Sequence, residues 1–166
     1  MTTTITKMAG IGLVAMALST PATPSKAEVD LAVADTCLAQ KLELGQNPAQ
    51  CVNDAHFACS QETPERHNVA SLCFVEAQNA WDQGIAAQMA ALRDETDEET
   101  VALAAIELKY DLLIARAQCD RLKELRMVSG DENPEVMQRQ SAQCFATASG
   151  LAYVRLQIRS AGIANQ

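Results

Sequence analysis

The sequence predicts an all-α protein, a small disulfide-stapled helical bundle in which two short N-terminal helices precede three longer antiparallel ones. Three observations carry that expectation. Apolar residues recur at intervals of three and four over most of the chain, the period of a helix face. Glycines are few, β-branched runs are short, and no Asn-Gly hairpin signal occurs. Six cysteines, at 37, 51, 59, 73, 119 and 144, are spread through the helical part, and an even set in an exported chain reads as three structural bridges.

The first residues read as an address. Lys7 precedes the apolar run MAGIGLVAMAL, and Ser25 and Ala27 occupy small-residue cleavage positions. Residues 1–27 are expected to be a secretory signal peptide and residues 28–166 a single all-α domain. The apolar run is 11 residues long, whereas a spanning helix needs about 20, so no membrane anchor is expected. No Leu-x-x-Cys lipobox lies at the cut, since the first cysteine is Cys37. The expected destination is the periplasm or the medium outside the cell.

The elements follow in order. A short first helix spans about Val29 to Leu44, stopped by Gly45. Asn47 caps and Pro48 opens a second, running to about Cys59. The polar stretch SQETPERHN, residues 60–68, is a turn. A third helix places Val69, Leu72, Cys73, Ala77, Ala80, Trp81, Ile85, Met89 and Leu92 on one face, which buries Trp81 two turns beyond Cys73. The acidic run DETDEE, residues 94–99, ends that helix and supplies carboxylates to the positive end of the next. The fourth helix, about Glu98 to Val128, has the clearest period in the chain: Val101, Ala105, Leu108, Leu112, Ala115, Cys119 and Leu122. Leu103, Ile106, Tyr110 and Leu113 widen its stripe, so it is expected at the centre of the bundle, with Leu108 and Leu112 in the core beside Trp81. Gly130 ends it. Asn133 and Pro134 open a fifth helix carrying Met137, Cys144, Phe145, Ala148, Leu151, Ala152 and Leu156 on its apolar face, with a tail that frays after Arg159.

These directions constrain the bridges. Cys119 and Cys144 lie about equally far from the turn near Asp131, so an antiparallel hairpin brings them together. For the first four cysteines two sets satisfy the turns equally, neighbours (37 with 51, 59 with 73) or staggered (37 with 59, 51 with 73).

No reactive constellation is evident. A Gly-x-Ser-x-Gly elbow, a phosphate loop, a His-Glu-x-x-His zinc site and a dinucleotide fingerprint are all absent from the sequence. His56 with Glu62, or His67 with Glu65, can be drawn as acid–base dyads, but such neighbours are commonly local polar contacts. The cysteines include no Cys-x-x-Cys, the histidines sit at no ligand spacing, and DETDEE lacks the alternating ligands and glycine of a calcium loop. Trp81 and Asp82 could bind a sugar by stacking and hydrogen bonding, yet the apolar stripe favours Trp81 as core. The expectation is a binding protein and not an enzyme, with no cofactor and no metal. Without residues 1–27 the chain holds 11 basic and 21 acidic side chains, a net charge of −10. That charge repels phosphate backbones and excludes nucleic acid as a natural partner.

Cys59, Cys73 with Glu76 close behind, and then Trp81, Asp82 and Ile85 resemble the opening of the DUF1311 family of lysozyme-inhibitor LprI-like proteins. There, two cysteines and a Trp-Asp-x-x-Leu-Asn-x-x-Tyr segment begin a helical domain closed by a further cysteine pair, here Cys119 and Cys144. The resemblance spans about Cys37 to Leu156. Cys37 and Cys51 look like the extra N-terminal pair of the longer alphaproteobacterial form. Ala86 and Met89 replace the family asparagine and tyrosine, and LKYDLLIARAQC, residues 108–119, keeps Lys109, Ala117 and Cys119 but not the family's Trp or Tyr-Arg-Asp. The resemblance implies that Cys59 pairs with Cys73, leaving Cys37 for Cys51. It also implies binding and inhibition of a lysozyme-type muramidase, a basic protein toward which an acidic chain is steered. The contact candidates are the acids of the two long-helix turns: Asp94, Glu95, Asp97, Glu98 and Glu99 in the first, Asp131 and Glu132 in the second. An envelope interaction or scaffold protein without lysozyme activity is the alternative.

Overall fold

Asp30 starts the first helix: its carboxylate accepts from the amides of Ala32 and Val33 at 3.0 and 3.3 Å, satisfying donors that the first turn leaves open. That helix, α1, spans Leu31–Glu43 and is closed by Gly45 at φ 63°, a left-handed position at which a side chain is strained. The computed structural model describes residues 29–130 and 133–164, so the expected signal peptide, residues 1–27, lies outside the described residues. The single second helix expected from the sequence is two short ones, α2 (Gln50–Ala55) and α3 (Phe57–Ser60), separated at His56. A 3-10 turn at Pro64–Arg66 leads into α4, His67–Glu95.

The two long helices that follow are both capped by side chains. Asp97 accepts from the amide of Thr100 at 2.9 Å and from its hydroxyl at 2.8 Å, opening α5, Glu98–Ser129. Gly130, at φ 72°, ends it. Asn133 accepts from the amide of Glu135 at 2.9 Å and opens α6, which runs Pro134–Ala164, beyond the fraying point expected at Arg159. Among the described residues there is no strand, and no helix is long and apolar enough to cross a membrane. The fold is an all-α bundle held by three disulfides, Cys37–Cys51, Cys59–Cys73 and Cys119–Cys144.

The centre of the bundle differs from the expectation. The most extensive packing is between α4 and α6, while α5 lies against α6 and barely meets α4. On α5 only Ala104 and Cys119 are buried. Leu108 and Leu112, expected in the core, are partly buried against its edge. The reason lies in side-chain size. Along α6, Ala146, Ala148, Ser149, Gly150 and Ala152 are all buried, and small side chains let that helix be enclosed on several sides at once. On α4, Ala70, Phe74, Ala77 and Trp81 are also buried, and Gly150 lies against Trp81. Helix α5 has apolar residues on both of its faces, so one face must be left over. It is tied down by the Cys119–Cys144 bridge and by ion pairs, Arg155 with Asp111 at 2.6 Å, Arg159 with Glu107, and Arg116 with Asp82 at 3.4 Å.

Candidate functional site

The stretch CFVEAQNAWDQ, residues 73–83, folds into structure rather than into a site. Cys73 bridges to Cys59, and Trp81 is fully buried. The Trp81 indole donates from Nε1 to Nε2 of His56 at 3.0 Å, so its ring is closed to any sugar. Asp82 receives Arg116 of α5.

His56 is therefore a buried acceptor. It stands edge-on to Phe74, with ring centroids 5.7 Å apart, and to Trp81 at 6.2 Å. Burial among these rings disfavours the imidazolium and lowers the His56 pKa from 6.5 to about 4. Protonating Nε2 would also eliminate the acceptor that Trp81 uses. The His56–Glu62 dyad drawn from sequence does not form. His56 is committed to Trp81, and Glu62 pairs with Arg66 at 2.9 Å. Glu65 is held below the usual carboxylate range by its own backbone amide first and by Thr63 second.

Sequence reasoning missed Tyr153. Its ring lies 5.3 Å from that of Trp81, centroid to centroid, and its hydroxyl donates to Asp35 at 2.7 Å while accepting from Gln157 at 2.8 Å. Burial, then the bond to Asp35, pushes its pKa up to about 12, so the hydroxyl remains a donor at any physiological pH. Helix α4 admits this ring because residue 84 is glycine: a Cβ there would lie 2.8 Å from the tyrosine ring. Similarly, a Cβ at Gly150 would lie 2.6 Å from Val52 and 3.0 Å from the Trp81 indole nitrogen. Asp35, Tyr153, Trp81 and His56 thus form one chain of contacts linking α1, α6, α4 and the α2–α3 junction.

What the molecule offers to other molecules lies on its surface. Asp94, Glu95, Asp97, Glu98 and Glu99 are all exposed at the α4–α5 turn. Asp97 is partly occupied as the cap of α5, and the amide and hydroxyl of Thr100 hold its carboxyl below the usual range. The other acidic pair, Asp131 and Glu132, lies outside the described residues. Gly130, just before it, is at the opposite end of α5 from Asp97. An unbroken helix of 32 residues separates Asp97 from Gly130, about 48 Å at 1.5 Å per residue.

A groove of about 550 Å³ opens between α4 and the segment joining it to α3. Val69, Leu72 and Cys73 give it an apolar lining, and Glu62, Arg66 and Glu76 add charged groups of both signs. No family model, curated protein or solved structure matches the chain. The site has to be judged on its own chemistry. Among the described residues no group of three or more His, Cys, Asp or Glu side chains is placed to hold a metal ion. Every cysteine there is bridged, which leaves no thiolate nucleophile. The groove and the acidic turn suit contact with another macromolecule, the first through apolar area bordered by the Arg66–Glu62 ion pair and Glu76, the second through charge.

Proposed function

We propose that the mature chain is an exported binding protein whose partner is a basic muramidase of the lysozyme class, engaged through the α4–α5 turn. Three disulfides fit an oxidising compartment outside the cytoplasm. The partner is supported by one observation above others: Asp94, Glu95, Glu98 and Glu99 project from a tight turn at one end of the bundle, all exposed. On the chain without residues 1–27, of net charge −10, this is where a basic surface is attracted. The resemblance to lysozyme-inhibitor LprI-like proteins points to the same partner.

The test is a titration of disulfide-intact mature protein with c-type lysozyme, following binding and cell-wall lysis at low and near-physiological salt. Screening shortens from about 30 Å at 0.01 M to about 8 Å at 0.15 M, so affinity should fall as salt rises. The triple variant Asp94→Asn, Glu95→Gln, Glu98→Gln should lose most of it, while Asp97, which caps α5, is left in place. Inhibition of lysis by the wild type and not by the triple variant supports the reading; equal inhibition by both, or none at low salt, removes it.

The groove over the Cys59–Cys73 bridge favours a second reading, an envelope interaction module that receives an apolar segment of another protein. There Leu72→Glu, at a side chain 58% exposed, would abolish capture of the partner, and the acidic triple variant would leave it unchanged.

A further inference from the structure

The outer face of α5 is apolar where a solvent-facing helix should be polar. Leu103, Ile106, Tyr110, Leu113 and Ile114 are each about half exposed or more, Ile114 the most at 60%. They sit on the side of the helix opposite Ala104, Leu108, Leu112, Ala115 and Cys119, which face the bundle. The row has a symmetry of its own. Leu103 lies as far before Tyr110 as Ala117 lies after it, and Ile106 as far before as Ile114 after. Its two ends carry opposite charge: Glu99 and Arg121 are likewise equidistant from Tyr110. Both ends are exposed, and Arg121 makes only a long contact to Gln118, at 3.5 Å.

From this we infer that α5 pairs antiparallel with α5 of a second copy, about a two-fold axis passing by Tyr110. In that arrangement residues equidistant from the axis meet at one level. Leu103 meets Ala117 of the other copy, a large side chain against a small one, and Ile106 meets Ile114. Glu99 meets Arg121, and the pairing occurs twice because a two-fold contact is self-complementary. A parallel pair would set Glu99 against Glu99 and Arg121 against Arg121, so charge selects the antiparallel form. The seam from residue 99 to 121 is about 33 Å long at 1.5 Å per residue. One helix pair of that length is a small interface, and its dissociation constant belongs on the order of micromolar.

Sedimentation equilibrium of the mature, disulfide-intact protein from micromolar to millimolar concentration tests this. A monomer–dimer equilibrium is expected. Tyr110→Glu should abolish it while leaving helical content unchanged, since the side chain is 51% exposed and its ring lies under the Lys109 ammonium at 5.5 Å. Glu99→Arg or Arg121→Glu alone should weaken dimerisation about tenfold, since each sets two like charges together, and the double variant should restore it because the exchanged charges remain opposite. Mild oxidation of separately prepared Tyr110→Cys and Leu103→Cys proteins fixes the direction. The Tyr110→Cys protein should link readily to its own counterpart, and the Leu103→Cys protein, substituted far from the axis, should not. A monomer throughout the range, a dimer indifferent to Tyr110→Glu, a double variant no better than the single ones, or equal linking at 103 and 110 would each overturn the proposal.

Discussion

His56 connects a single imidazole to the pH dependence of the whole fold. In the unfolded chain it takes up a proton near pH 6.5, and in the folded chain only near pH 4. Between those values the unfolded state binds more protons, so stability must fall as pH falls through that window and is fully present above it. The shift corresponds to about 3 kcal/mol. Urea unfolding at pH 7 and at pH 4.5 should show that loss, and His56→Gln, whose amide oxygen can accept from Trp81, should flatten the profile in this window. A wild-type profile already flat between pH 6.5 and 4 would count against a buried neutral imidazole. At this scale the sequence was only half legible. Trp81 announced its burial through the α4 stripe, but a histidine next to a short helix carries no signal that separates a surface dyad from a buried acceptor. Tyr153 was hidden for another reason: one ring in a helix of small residues hardly changes the apolar period, although it makes three of the contacts joining α6 to α1 and α4.

The elements were legible from their caps. Asn133, Gly45 and Gly130 act where their chemistry placed them, whereas the caps Asp30 and Asp97 emerge only from the folded chain. What periodicity did not disclose was rank. Helix α5 has the most regular stripe in the chain and yet sits at the edge, because regularity describes a face and says nothing about how many faces neighbours cover. Helix α6 is less regular because it is buried on several sides, and a helix so enclosed loses its amphipathic contrast. Position along the bundle also decides what fastens the linking segment before α4. Arg139 of α6 donates to the carbonyls of Ser60, Glu62 and Thr63 at 3.2, 3.0 and 3.4 Å, the last of which also accepts from the Arg66 amide at 3.0 Å. Arg139→Met keeps the aliphatic stem and removes those bonds. It should cost about 1–2 kcal/mol, and amide exchange should accelerate over residues 60–66 but not in α5. Unchanged protection there would show that Pro64 and the Cys59–Cys73 bridge hold the segment unaided.

For the molecule as a whole, the three disulfides do what a modest core leaves undone. The Cys119–Cys144 bridge closes the longest loop, with a sequence separation of 25 against 14 for each of the others. Loop entropy then assigns it about 3.5 kcal/mol against about 3 for either shorter one. Replacing both Cys119 and Cys144 by alanine should therefore lower stability by that amount. It should also release α5 first, since ion pairs and a partly buried edge are what otherwise hold it to α6; amide exchange resolved by helix would record the order. Even loss of protection in α4, α5 and α6 would mean that the outer helix is no more weakly held than the centre. The hairpin argument that joined Cys119 to Cys144 needed only one turn and two helix directions. The pairing of the first four cysteines was not decided by the same argument, because α1, α2 and α3 are too short for a residue or two of error in a turn to leave only one solution.

Each cysteine is bridged to the next one along the chain, 37 to 51, 59 to 73, 119 to 144. No bridge encloses or crosses another. A chain emerging N-terminus first into an oxidising compartment exposes both members of every pair before the next pair appears. An oxidant that simply joins the two most recent thiols makes the native set, and synthesis order itself does the work that a more tangled connectivity would leave to an isomerase.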